Sequence, residues 1–168
     1  MKFRNAREAR DFIKQYESVE NFEVHGYERF VYQYIRREFP DEVQYSIPQM
    51  KIFALDIEVQ CENGFPNVEE AAEEMLSITI KDMISKKYYC WAMREFDPPE
   101  GVEHKVFWTE HEMLQDFITW WTNNTPDILT GWNVNLYDVP YIARRVCRVL
   151  GEKWMKSLSP WNRANERE

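Results

Sequence analysis

An apolar run at residues 51–59 restricts the fold of this chain more than any other feature, because it holds two acids among large apolar side chains. The run has no glycine or proline and is rich in Ile, Phe, Leu and Val, which predicts a buried central β-strand. Side chains alternate along a strand, so Asp56 and Glu58 share one face. The opposite face is entirely apolar and consists of Phe53, Leu55, Ile57 and Val59.

Asp56 and Glu58 are therefore candidates for binding a cation. Residues two apart on a strand lie roughly 7 Å apart at Cα, so both carboxylates can reach divalent ions held between them. Acids in so apolar a strand cost free energy unless a cation or hydrogen bonds neutralise them. The alternative is a strand end at which both acids meet water and have no function, since acids prefer exposure.

Composition indicates one compact globular body. The 168 residues are 44% hydrophobic, which is enough for a sizeable core. A net charge of −8 disfavours general attraction to a phosphate backbone, so any nucleic-acid contact must be local. The sequence has no run of 18 apolar residues, no apolar stretch at its start and only three widely spaced cysteines. We therefore expect a soluble, cytoplasmic protein with no membrane partner.

The apolar periodicities predict an α/β fold. Helices are expected at 5–17, behind a possible Asn5 cap, and at 27–39, followed by the strand at 51–59 and a hairpin of 76–81 with 87–92. A helix then begins at the capping box of Thr109 and Glu112, followed by a strand at 127–132 and a helix at 139–150. This order predicts a mixed sheet with helices packed on it. Residues 153–168 have no clear partner element, so we expect a domain that is incomplete at its C-terminal end.

A second cluster of polar residues lies at 130–138, where the later strand ends and a helix begins. Loops that follow strands commonly carry functional residues. Asp138 stands just before the helix predicted at 139–150, and an N-cap is the commoner role for an acid at such a position.

Two charged stretches flank these candidates. Arg144, Arg145 and Arg148 form a basic cluster on the last helix, which favours a solvated helix face over contact with a DNA backbone. The acidic run at 69–74 indicates a solvated turn or short helix.

Together, the Asp-x-Glu strand and the later strand, loop and helix resemble the first two motifs of DEDD-type 3′-to-5′ exonucleases, whose fold is ribonuclease H-like. Further matches in the same order are FALDIEV (53–59), GFP (64–66), LTGWN (129–133), YDVPY (137–141), LGE (150–152) and LSP (158–160). They resemble the proofreading region of family B DNA polymerases from T-even-like bacteriophages and cyanophages, over nearly the whole chain. The resemblance implies a mostly helical lead-in at 1–48 and a partial exonuclease domain at 49–168.

The resemblance also implies a metal site. Asp56 and Glu58 correspond to the ligands of the first motif, and Asp138 corresponds to the ligand of the second. The implied cofactor is a pair of Mg²⁺ or Mn²⁺ ions, which activate a water and stabilise the leaving 3′ oxygen during phosphodiester hydrolysis.

Contacts to DNA are implied next to that site. By the resemblance, Asn133 and Tyr137 position the loop or the 3′ end of a single-stranded DNA. Trp132, next to Asn133, is a further candidate, because a tryptophan ring can stack on a base. Core packing is the commoner role for most of the other tryptophans.

One part of the family pattern is missing. The third motif, a Tyr followed four residues later by Asp, occurs nowhere in this sequence. We therefore expect a fragment or split subunit that does not polymerise DNA alone and hydrolyses single-stranded DNA only when another polypeptide supplies that motif. The alternatives are a non-catalytic module that binds a separately encoded polymerase part or single-stranded DNA, and an inert gene remnant.

Overall fold

The structure is a computed structural model that describes residues 3–24, 30–42, 44, 46–61 and 64–164. The chain divides into two compact units, Met1–Tyr45 and Ser46–Glu168.

The first unit contains the two helices predicted near the start of the chain. α1 is Ala6–Tyr16 and α2 is Phe30–Glu38. Asn5 caps α1, since its side-chain oxygen accepts from the backbone N–H of Glu8 at 2.9 Å. Both helix predictions are confirmed, although residues 27–29 of the second lie outside the described residues.

The second unit is built on a five-stranded mixed sheet. After a 3₁₀ turn at Ile47–Gln49, the strands are β1 (Ile52–Val59), β2 (Met75–Asp82), β3 (Tyr88–Ala92), β4 (Val102–Val106) and β5 (Ile128–Thr130). Their order is β4-β3-β2-β1-β5. β1, β2 and β3 pair antiparallel, whereas β4 runs parallel to β3 and β5 runs parallel to β1. The predicted hairpin is confirmed, and β4 is a strand that the sequence pattern did not predict.

Three helices complete the second unit. α3 is Glu110–Asn124, α4 is Asp138–Leu150 and α5 is Glu152–Lys156. Thr109 caps α3 by accepting from the backbone N–H of Glu112 at 3.3 Å, as the capping box predicts. The stretch after residue 153 does have a partner, contrary to expectation, because Trp121 Nε1 donates to the carbonyl of Leu158 at 2.8 Å. Within the described residues, no helix combines the length and the apolar character needed to cross a membrane.

The core lies between one face of the sheet and the helices α3 and α4. From β1 it takes Phe53, Leu55 and Ile57, which confirms the predicted alternation. The helices contribute Met113, Leu114, Phe117, Ile118, Tyr141, Ile142 and Val146. β1 is the predicted central strand, lying between β2 and β5, and it is buried on one face, since Asp56 and Glu58 are exposed on the other.

The loop after β5 lies so close to β1 that only a glycine fits at its start. A Cβ added to Gly131 would stand 2.4 Å from the backbone oxygen of Leu55 and 3.3 Å from the Cβ of Val134. Leu55 directly precedes Asp56, so this close approach determines where the loop lies relative to the acidic face of β1.

Replacing Gly131 by alanine should lower the free energy of unfolding by about 1 to 3 kcal/mol, because β1 and the loop must move apart. Unfolding in urea measures this change. The exposed neighbour Thr130→Ala is the control and should stay within about 0.5 kcal/mol of the unmodified chain. Equal stability of the two variants would contradict the close approach.

Candidate active site

Asp138 at the start of α4 contacts the segment of β1 that carries Asp56 and Glu58, although it is distant from them in the sequence. The Oδ1 atom of Asp138 accepts from the backbone N–H of Ile57 at 3.3 Å, across 81 positions of the chain. Ile57 lies between Asp56 and Glu58 on β1. Asp138 is the first residue of α4, and the N-cap position belongs to Tyr137, which makes no side-chain capping bond. The N-cap interpretation of Asp138 is therefore wrong.

The three acids differ in burial. Asp56 and Glu58 are exposed, as expected for acids that meet water, whereas Asp138 is only 3% exposed. The Oδ2 atom of Asp138 is buried and has no hydrogen-bond partner. Burial raises the pKa of Asp138, and the negative charge of Asp56 raises it further. A proton or a cation at Oδ2 would relieve this unfavourable state of the ionised group.

Within the part of the chain that the structure describes, no three His, Cys, Asp or Glu side chains are grouped so that they could hold a metal ion. The residues nevertheless fit a hydrated divalent cation, since Mg²⁺ usually keeps several waters and takes only one or two carboxylates. The unpartnered oxygen of Asp138 is the atom that such a cation would satisfy.

The loop between β5 and α4 is shaped by Asn133. Its φ of 57° lies in the left-handed region, which asparagine adopts more readily than most residues. Its carbonyl accepts from the backbone N–H groups of Leu136 at 2.9 Å and Tyr137 at 2.8 Å. Asn133 thus forms the turn that leads into Asp138.

Aromatic side chains border the acids. The ring of Tyr137 contacts that of Phe65, with centroids 4.8 Å apart, and Phe65 is 82% exposed. Trp132 is 86% exposed on the same loop as Asn133. Phe65 was not among the predicted site residues, although the GFP stretch that contains it pointed to this region. Exposed rings of this kind can stack on nucleic-acid bases.

Nearby acids affect the pKa of Tyr137. The pKa of Tyr137 is raised by burial, and then by the negative charges of Asp138 and Glu73, with a smaller effect of Glu58. Tyr137 therefore lies among acids that come from three different segments, namely β1, the loop before β2 and α4.

The loop at 67–74, which includes the acidic run, is fastened to α4 through its backbone carbonyls. The donors are side chains of α4, and the pairs are Tyr141 to Glu73 at 2.7 Å, Arg144 to Val68 at 3.4 Å, Arg145 to Ala71 at 3.1 Å and to Ala72 at 2.7 Å, and Arg148 to Glu70 at 3.2 Å. The predicted solvated turn is confirmed at 68–70, where Glu69 and Glu70 are exposed, although its carbonyls are bound to α4. The prediction of a solvated basic face holds for Arg148 and is wrong for Arg145, which is partly buried. The carbonyls of the loop are the partners of the basic cluster.

A buried ion pair lies at the centre of this network. Arg145 donates to both carboxylate oxygens of Glu110, at 2.8 Å from Nε and 2.6 Å from a terminal nitrogen. Glu110 is only 5% exposed and also accepts from the backbone N–H of Met75 at 2.8 Å. The hydrogen bond to Glu110 raises the pKa of Arg145. The pair thus joins the starts of α3 and β2 to the helix that carries Asp138.

Comparisons with known proteins give one consistent result. Residues 16–168 match the model for "DNA polymerase family B, exonuclease domain". The chain is 28% identical over 184 aligned residues to the DNA-directed DNA polymerase of Escherichia phage RB69, covering 94% of this chain and 20% of that protein. It is 29% identical over 192 residues to the corresponding protein of Enterobacteria phage T4, covering 99% and 21%. The DNA polymerase catalytic subunit of Human herpesvirus 8 is 30% identical over 107 residues, covering 61% and 11%. The chain spans about a fifth of the length of the two phage relatives.

Removing the charge of Arg145 should destabilise the domain strongly. Arg145→Met leaves Glu110 buried without its partner, and such a loss typically costs about 3 to 5 kcal/mol of unfolding free energy. Chemical denaturation measures the change. Arg148→Met is the matched control, because Arg148 is exposed and donates to a single carbonyl. It should cost about 1 kcal/mol or less. Similar losses in the two variants would contradict the central role of the pair.

Asp138→Asn should make the chain more stable at pH 7 when divalent ions are removed. The folded-state pKa of Asp138 is raised above its ordinary value of 3.8, so the ionised group weakens the fold at neutral pH. As the pH falls through that raised pKa, Asp138 takes up a proton and the advantage of asparagine should shrink. Urea midpoints of the variant and the unmodified chain, compared between pH 7 and pH 4, test this. A less stable variant at pH 7 would contradict it.

Proposed function

Because the chain belongs to the exonuclease-domain family of family B DNA polymerases, we propose that it carries a metal-dependent 3′-to-5′ exonuclease site. The site hydrolyses the 3′ end of single-stranded DNA, which is the proofreading reaction of DNA replication. One observation carries this proposal. Asp138 accepts a hydrogen bond from the backbone of Ile57, the residue between Asp56 and Glu58, and its other carboxylate oxygen is buried without a partner.

Asp56, Glu58 and Asp138 are the proposed ligands of Mg²⁺ or Mn²⁺. Hard divalent cations prefer carboxylate oxygens, and the two exposed acids are open to an ion that arrives from solvent. When bound, such ions activate a water and stabilise the negative charge on the leaving 3′ oxygen. The chain itself supplies the negative charge that holds the ions and the hydrogen bond from Ile57 that orients Asp138.

The substrate end of the site is proposed to hold DNA mainly by stacking. Trp132 lies exposed on the loop that leads into Asp138, and Tyr137 and Phe65 pack together next to Asp138, while stacking on bases is largely independent of sequence. Arg145 and Arg148 already donate to loop carbonyls, so contacts to phosphate by these side chains would break bonds within the domain. Asn133 holds the turn that presents the loop.

Completion of the site requires a further carboxylate. The sequence contains no Tyr-x-x-x-Asp, so we propose that the third motif comes from polypeptide outside these 168 residues. The partner is then a polymerase portion that carries this motif. The chain covers about a fifth of the phage relatives, which is consistent with such a division of the site.

A chimera tests the proposal. This chain would replace the matched fifth of the phage RB69 polymerase, and release of the last nucleotide from a 3′-labelled single strand would be followed with Mg²⁺ or Mn²⁺. The chimera should release nucleotides, and Asp56→Ala should reduce the rate by more than the roughly 100-fold typical of losing an outer partner of a metal ligand. Glu69→Gln changes an exposed acid and is the control that should leave the rate unchanged.

The chain alone should be assayed in parallel. Release that disappears in Asp56→Ala would show that the acids of this chain suffice, and that the supplied motif is unnecessary. A folded chimera that binds single-stranded DNA and releases nothing would favour the non-catalytic binding module instead.

A further inference from the structure

Two buried side-chain oxygens among the described residues have no hydrogen-bond partner. They are Oδ2 of Asp138 and Oε2 of Glu73. Buried polar atoms are nearly always paired in folded proteins, and an exception commonly marks the position of an ion or a bound water. Asp138 is already a proposed metal ligand, whereas Glu73 belongs to the acidic run at 69–74, which was predicted to have no role beyond a solvated turn or short helix.

The backbone of Glu73 is fixed at the junction between β1 and α4. Its carbonyl accepts from the hydroxyl of Tyr141 in the first turn of α4, at 2.7 Å. The carbonyl of the next residue, Glu74, accepts from the backbone N–H of Gln60 at 2.8 Å, just past the end of β1. The backbone of Glu73 thus lies between the end of β1, the strand that carries Glu58, and the start of α4, the helix that carries Asp138.

Tyr141 links Glu73 to the start of α4. Its ring packs against that of Tyr137, which directly precedes Asp138, with centroids 5.6 Å apart. Burial raises the pKa of Tyr141 to about 12, and the negative charge of Glu73 contributes to this increase. Glu73 therefore lies beside the tyrosine that packs next to the start of α4.

The carboxylate of Glu73 is not neutralised by a described side chain. The structure shows no ion pair for Glu73 among the residues it describes, and the guanidinium of Arg145 is occupied by Glu110 and by two loop carbonyls. The loop is held through the carbonyl of Glu73 and not through its carboxylate. Fastening the loop therefore does not explain why this half-buried acid has a buried oxygen without a partner.

We propose that Glu73 is a further positioning residue of the exonuclease site, whose carboxylate accepts a hydrogen bond from a water on the divalent cation held by Asp138. This inference rests on the proposed function. A divalent cation such as Mg²⁺ keeps several of its waters, and those waters need acceptors. Outer partners of this kind commonly tune the affinity of a metal site.

Binding of Mn²⁺ to the 168-residue chain tests this role without any assay of activity. Electron paramagnetic resonance of free Mn²⁺ would give the dissociation constant for the unmodified chain, Glu73→Gln, Glu69→Gln and Asp56→Asn. Glu73→Gln should bind about 10-fold more weakly. Glu69→Gln removes the same charge from an exposed position of the same loop and should bind as the unmodified chain does.

Thermal unfolding without metal separates this role from a structural one. Glutamine keeps the shape of the side chain and removes a buried charge that has no partner, so Glu73→Gln should unfold at the same or a higher temperature. A lower unfolding temperature would show that the carboxylate supports the fold, and would overturn the inference.

The remaining outcomes are also decisive. If Glu73→Gln binds Mn²⁺ as tightly as the unmodified chain does and Asp56→Asn binds it more weakly, the role of Glu73 is overturned and the proposed metal site stands. Equal weakening in Glu69→Gln shows only an effect of net charge and overturns it as well. If the unmodified chain takes up no Mn²⁺, or if Asp56→Asn binds as well as the unmodified chain, the proposed metal site fails and this inference fails with it.

Discussion

The buried pair of Glu110 and Arg145 is the interaction on which the arrangement of the second unit depends. It joins α3, the start of β2 and α4, and Arg145 extends it to the carbonyls of the loop at 67–74. Two charges taken out of water need hydrogen bonds to offset the cost, and here, among the described residues, Arg145 donates four while Glu110 accepts three. Because α4 carries Asp138, the same contacts that hold this helix also hold one side of the acidic site against β1.

Much of the fold follows from short-range patterns that the sequence displays. The alternation in β1 and the caps at Asn5 and Thr109 depend on neighbouring residues, so they could be predicted. β4 was missed because its middle residues are exposed and polar, which leaves no apolar alternation to detect. The parallel pairing of β4 with β3 depends on contacts between strands, which the residues of β4 alone do not indicate.

The site was predictable in part, for a related reason. Asp56 and Glu58 stand out because acids are unusual in an apolar strand, and motif order then draws attention to Asp138. The role of the arginines on α4 could not be predicted, since their partners are backbone carbonyls, which every residue has. Glu73 looks the same as its acidic neighbours in the sequence, and only burial distinguishes it.

The contact between Asp138 and the backbone of Ile57 spans 81 positions. Bringing such distant parts of a chain together costs loop-closure entropy, which local contacts alone do not offset. The assembled carboxylate site is therefore a property of the folded domain and not of either segment alone. Any ion that binds all three acids must in turn favour the folded state by mass action.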